Sequence, residues 1–194
     1  MEKKEYAIEL SERAAKHGLE LGKKVYMDKL NFPDKFHLGG AHELQADIYG
    51  FMAESCVCEH FKHPLPAFKK QENDEYDLII NDRKVDVKKV GFSKYSKKPL
   101  ITLNKRQYNR KKNKIDVFLF GIFKGAFNSE EVGGFQLTIP LPKISRFVLL
   151  GWIPSSEILK KAQNYEWKNR AGEVIDVSYK LRVSQLYPVE ELIK

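Results

Sequence analysis

Tyr76-Asp77-Leu78-Ile79-Ile80-Asn81-Asp82-Arg83-Lys84-Val85-Asp86-Val87-Lys88-Lys89-Val90 is the stretch on which the fold turns. Its two apolar runs, 76–80 and 85–90, have the length and composition of strands, and turn-forming residues separate them. A two-residue loop at Asn81-Asp82 closes them into a hairpin with Asp77 opposite Asp86, Leu78 opposite Val85 and Tyr76 opposite Val87. Side chains alternate between the faces of a sheet. One face then collects Tyr76, Leu78, Ile80, Val85 and Val87, a set fit for a core. The other collects Asp77, Asp86 and Lys88.

Like charges opposed across a ladder are destabilising, by an amount comparable to the ~0.2–1 kcal/mol of favourable pairs. Folding gains nothing obvious from such a placement. A divalent cation reverses the sign, because two carboxylates that repel each other become one hard oxygen site for Mg²⁺. Hydrolysis of a phosphodiester needs such parts, since a metal must neutralise the phosphate and help to generate the nucleophile. Lys88 would position the attacking water or stabilise developing charge, and a base role would require a depressed pKa. The plain alternative is a solvated polar face of an edge hairpin, with Glu75 pairing Lys88.

The pattern Asp77-x8-Asp86-Val87-Lys88 resembles the signature of the PD-(D/E)XK nuclease superfamily, with Tyr76 standing where the name has Pro. The resemblance covers roughly residues 39–123. It implies an α/β fold: a restriction-endonuclease-like mixed β-sheet flanked by helices, with an αβββαβ core and a C-terminal α/β extension over about 125–194. It also implies metal-dependent hydrolysis of DNA phosphodiester bonds, leaving 5′-phosphate and 3′-hydroxyl ends. Asp77, Asp86 and Glu54, with the Val87 carbonyl, would hold Mg²⁺, for which Mn²⁺ substitutes. Asp77, Asp86, Lys88 and Glu54 would form the catalytic set, Lys88 orienting the nucleophile.

The helix ahead of the hairpin offers two acids. Eleven residues make close to three turns, so Glu43, Asp47, Gly50 and Glu54 fall on one stripe and spacing cannot separate Glu43 from Glu54. Glu54 is preferred because Ala53-Glu54-Ser55-Cys56-Val57 resembles the small-residue-flanked Glu of the family, and Glu43 is the reserve. Beyond the hairpin, Lys94, Lys97, Lys98, Lys105, Arg106, Arg110, Lys111, Lys112 and Lys114 crowd one region, with Tyr95 and Tyr108 interleaved. Lys and Arg contacts to phosphate supply most non-specific nucleic-acid affinity. Lys89, Lys94, Tyr95, Lys97, Lys98, Arg106, Gln107 and Arg110 are therefore the expected DNA contacts, although charge runs are more often solvated surface. Cys56, Cys58, His60 and His63 invite a zinc reading. On a helix, however, Cys58 points away from the other three, and no second ligand pair succeeds them, so small buried thiols fit better.

Around this centre, a helix is expected over 2–16 from the spacing of Tyr6, Leu10, Ala14 and His17, its continuation weakened by Gly18 and Gly22. A loop is expected at Asn31-Phe32-Pro33-Asp34 and a second helix over 41–61, which Pro64 and Pro66 end. A strand at 100–103, a short helix at 105–112 and a strand at 115–123 buried on both faces come next. Further apolar runs stand at 135–139 and 147–153, then a helix near 155–162 and a strand near 174–183.

The 194 residues carry 34 Lys+Arg against 26 Asp+Glu, a net charge of +8. That length suits one domain, 1–194, with a core of its own. A hydrophobic fraction of 42% excludes a disordered chain, and the excess charge favours a polyanionic partner. Two cysteines suit a reducing compartment, and no apolar run reaches the ~18–20 residues of a membrane span, so a cytoplasmic location and no membrane partner are expected. Cutting both strands of a duplex favours a two-fold homodimer. The size fits a viral or mobile-element enzyme as well as a host repair enzyme. A basic nucleic-acid-binding module with a degenerate acidic site, and an RNA-directed nuclease of the same fold, remain as alternatives.

Overall fold

Two glycines set how the first helices meet. In the computed structural model, which describes residues 5–30, 40–67, 76–92, 98–168 and 171–194, α1 (Glu12–Leu30) lies against α2 (Gly40–His60). A Cβ on Gly18 would stand 2.5 Å from the Met52 Cα, and one on Gly22 would stand 2.5 Å from the Ile48 Cα. These glycines do not weaken the helix as expected; they let two backbones approach closely. The helix expected over 2–16 is also corrected. Tyr6–Glu9 forms a strand, β1, and Ser11 starts α1 by accepting the Ala14 N–H at 3.0 Å. The apparent helical spacing straddled a strand and a cap.

The hairpin forms in the expected register. In β2 (Leu78–Ile80) and β3 (Arg83–Lys89), Leu78 pairs with Val85 and Ile80 with Arg83. Asn81 and Asp82 both take left-handed conformations, φ 47° and 61°, as a type I′ turn requires. β3 runs parallel to β6 (Val117–Lys124), with Asp86 beside Phe118 and Lys88 beside Phe120. The main sheet has the order β1-β9-β6-β3-β2, where β9 is Arg146–Pro154. β6 is buried from Val117 to Phe123, as a strand covered on both faces should be.

Two cores lie on the two faces of that sheet. Val85, Val87, Val117 and Leu119 pack with α1 and α2, whereas Phe118, Phe120 and Ile153 pack with Ile101, Leu103, Tyr108 and Tyr179. The latter four belong to β5 (Pro99–Asn104), α3 (Lys105–Lys111) and β11 (Val174–Leu181). A second sheet has the order β10-β11-β5-β4, with β4 Gly91–Phe92 and β10 Gln163–Lys168. The third strand of the expected αβββαβ order, β5, thus leaves the main sheet and pairs with β11. Its inward Ile101 and Leu103 are needed by the second core. A ribbon of β7 (Phe127–Val132) and β8 (Phe135–Pro140) completes the strands.

Residues 155–162 form a Ser155–Glu157 3₁₀ turn and the four-residue α4 (Ile158–Lys161). α5 (Val189–Leu192) docks on the sheet: the Trp152 indole donates to the Pro188 carbonyl at 2.8 Å, and the Asn81 amide to that of Leu192 at 3.1 Å. The molecule is a mixed α/β structure with flanking helices. Among the described residues no helix is long and apolar enough to cross a membrane. The loop at Asn31-Phe32-Pro33-Asp34 and the pairing residue Glu75 lie outside the described residues.

Candidate functional site

Asp86 is the centre of the site. Strand alternation turns Val85 and Val87 into the first core and sends Asp86 and Lys88 to the opposite face, beside Phe118 and Phe120. Among the described residues it is the one carboxylate or ammonium side chain that is fully buried, at 0% exposure. Burying a charge is tolerated only when it is paired. Two ammoniums do so: Lys88 contacts Oδ2 and Lys111 contacts Oδ1. Burial favours the neutral acid, but the charges of Lys88 and Lys111 outweigh it and hold the Asp86 carboxyl below its ordinary value.

Lys111 arrives through α3. The Asn104 side chain caps that helix, accepting the N–H groups of Arg106 and Gln107 at 2.9 and 3.1 Å. Tyr108 is buried, with its hydroxyl donating to the Ser155 carbonyl at 3.1 Å. One turn later, Lys111 lies on the same inward face. The sequence shows it only as one of nine basic residues in a run. The available signal was its position three residues after an aromatic that the helix must bury.

Asp77 is held differently from the expected ladder partner. Regular pairing ends at Leu78, the Asp77 N–H donates to the Val85 carbonyl at 2.8 Å, and its Oδ2 accepts the Val87 N–H at 2.7 Å. The chain leaves the ladder there, so alternation does not extend to Tyr76. Tyr76 is corrected from the first core to the rim of the second, with the Lys84 ammonium 5.6 Å from its ring centre. Val87 keeps its side chain in the first core.

Lys88 is where the acids meet. Burial alone would lower its pKa, but Asp86, then Asp77, and more weakly Glu54 outweigh it and hold the ammonium above the usual lysine value. Glu54 and Asp77 also line one cavity of about 300 Å³, with Tyr76 and the 63–67 segment. Glu43 is elsewhere: it pairs with Lys29 at 3.4 Å, beside Asp47, which the same ammonium meets at 2.7 Å. Among the described residues no three His, Cys, Asp or Glu side chains converge closely enough to hold an ion as they stand. Against Asp86, the place of a cation is taken by Lys88 and Lys111.

Of the expected DNA contacts, four are exposed and Lys89 is half-buried. Lys89 turns to the α2 face, where its ammonium lies 4.7 Å from the Tyr49 ring centre and burial lowers its pKa. Lys98, Gln107 and Arg110 are exposed, and Arg106 is exposed at the mouth of another cavity. Lys94, Tyr95 and Lys97 lie outside the described residues. Both thiols are buried. Cys56 donates to the Glu9 carbonyl at 3.6 Å and Cys58 to the Asp77 carbonyl at 3.7 Å. Burial pushes the Cys56 thiol up to about 12. His60 pairs with the Tyr6 hydroxyl at 2.9 Å. No family model, curated protein or solved structure matches this chain.

Proposed function

We propose that this chain is a metal-dependent nuclease that hydrolyses DNA phosphodiester bonds through a PD-(D/E)XK-type site on a restriction-endonuclease-like sheet. The observation that supports it most is the acidic surrounding of Lys88: Asp86 of β3 contacts its ammonium, and the charges of Asp77 and Glu54, which line one cavity together, also act on it. Three acids against Lys88 and Lys111 leave an excess of negative charge, and hard oxygen donors suit Mg²⁺ or Mn²⁺. Two ammoniums already drawn onto Asp86 mark it as a strong attractor of cations.

Glu54, Asp77 and Asp86, with the Val87 carbonyl, would hold the ion. When bound, a divalent ion neutralises the phosphate and supplies an activated water. Lys88 keeps its proton, so it donates hydrogen bonds, orients the nucleophile and stabilises developing charge rather than acting as a base. Cys58 and Val87 fix Asp77 through its carbonyl and its Oδ2. Lys111 must yield Asp86 to a ligand, and its charge then becomes available to a phosphate.

A second reading, a binding module with a degenerate acidic site, is favoured by one observation: both Asp86 oxygens are covered by lysine. Salt-sensitive DNA binding fits both readings, whereas cleavage separates them. Supercoiled, linear, single-stranded and branched DNA, with structured RNA alongside, are incubated with Mg²⁺, Mn²⁺ or EDTA. Metal-dependent DNA cleavage that disappears in Asp86→Ala and Lys88→Ala supports the nuclease. Cleavage that persists in either variant, or none on any substrate, overturns it, and preferential cutting of RNA redirects it to an RNA-directed enzyme.

A further inference from the structure

A second cavity, of about 510 Å³, opens between α2 and the β10–β11 hairpin. Its volume falls within the range of small-ligand sites, and its lining combines an apolar surface with a few polar groups. Trp167 supplies the surface. Its indole N–H donates to the Ser178 hydroxyl at 3.1 Å, and the Tyr165 ring meets it edge-on at 5.0 Å, which fixes the ring while 37% of the residue stays exposed. Asp176 lies directly across the strand pair from Trp167. One of its oxygens accepts the Asn104 amide at 2.6 Å, and the other has no described partner. Arg106 lines the same cavity, and its guanidinium has no carboxylate partner among the described residues. On the opposite wall Lys29 engages both Glu43 and Asp47, and His42 stands exposed beside them.

A held aromatic face, a carboxylate oxygen able to accept, and an uncompensated guanidinium match the three parts of a nucleotide: a flat ring, its N–H edge and its phosphate. A base inside a duplex is stacked and its edge is paired, so it cannot enter. We propose that this cavity holds one unpaired nucleotide of a DNA strand, its base stacked on Trp167, an N–H of that base on Asp176 and its phosphate on Arg106. The proposal names the substrate class of the nuclease and rests on that reading for the identity of the strand: single-stranded or locally opened DNA.

The test is made in EDTA, so that binding is read without cleavage. Fluorescence anisotropy compares a labelled single-stranded oligonucleotide with the same sequence as a duplex. Trp167→Ala weakens single-strand binding about 5- to 150-fold, the range found on removing base-stacking aromatics, and changes duplex binding less than twofold. Trp167→Phe, which keeps a stacking ring, retains most of the affinity. Arg106→Gln lowers the salt slope of single-strand binding by about one ion. In the unaltered protein, adding the single strand quenches the emission of the exposed Trp167, a readout that needs no variant to fold. No quench, or equal weakening of both substrates by Trp167→Ala, overturns the proposal. Failure of the nuclease reading would register separately, as absent metal-dependent cleavage by a protein whose single-strand binding still depends on Trp167.

Discussion

Replacing Asp86 by Asn distinguishes two accounts of why an acid sits on the buried face of β3. If Asp77 and Asp86 merely repelled each other across a ladder, removing one charge would stabilise the protein, by up to ~1 kcal/mol. The structure requires the opposite sign. Asp86 is wholly buried and carries the ammoniums of Lys88 and Lys111, so the amide leaves two cations facing a neutral group. Removing one partner of a buried ion pair costs roughly 3–5 kcal/mol. Lys88 and Lys111 are 21% and 15% exposed and can turn toward water, which places the cost near the lower end, about 3 kcal/mol. For a chain of this size that lowers Tm by roughly 6–12 °C. Thermal melts in EDTA at pH 7, followed by circular dichroism, measure it. The Asp86 carboxyl is held below its unfolded value, so its contribution is complete above about pH 3.9 and is lost as pH falls through the folded value. The gap between wild type and Asp86→Asn therefore closes in acid. A variant that melts higher than wild type at pH 7, or a gap that does not narrow in acid, refutes the reasoning.

Gly18→Ala forces α1 away from the Met52 backbone and lowers stability by about 1–3 kcal/mol, read as a lower urea midpoint with unchanged slope. Asp82→Gly relieves a left-handed non-glycine residue in the hairpin turn and raises stability by up to ~1 kcal/mol, measured by the same titration. Cys56, with its thiol pushed up to about 12 and donating to the Glu9 carbonyl, stays unreactive toward a disulfide reagent at pH 8 until denaturant is added; rapid native labelling at Cys56 contradicts its placement.

Much of this arrangement was legible because its signals are local. The Asn81-Asp82 turn fixes the pairing of Leu78 with Val85, and the apolar run 115–123 announces a strand covered on both faces. The helix stripe brought Glu43 and Glu54 forward together, and only tertiary packing separates them, by giving Glu43 to Lys29. Lys111 was hidden for the same reason. Its partner is 25 positions away, and within the run of basic residues only its spacing from Tyr108 marks it as the one that turns inward. β7 and β10 escaped because they are largely polar and largely exposed, without the alternation that marks a half-buried strand. The expected third strand was recognised as a strand but assigned to the wrong sheet, since the choice of β11 as its neighbour depends on a core built from residues far along the chain.

The sheet order has a consequence for how the chain is made. β6, apolar along almost its whole length, is flanked on one side by β3 but on the other by β9, which begins only at Arg146. Until then β6 is an open hydrophobic edge, and β1, made long before β9, has no strand to join. Emergence from the ribosome therefore includes a window of roughly twenty residues, from the end of β6 to the start of β9, in which the growing chain is prone to self-association. The hairpin bearing the acids receives its last brace only when Leu192 reaches Asn81.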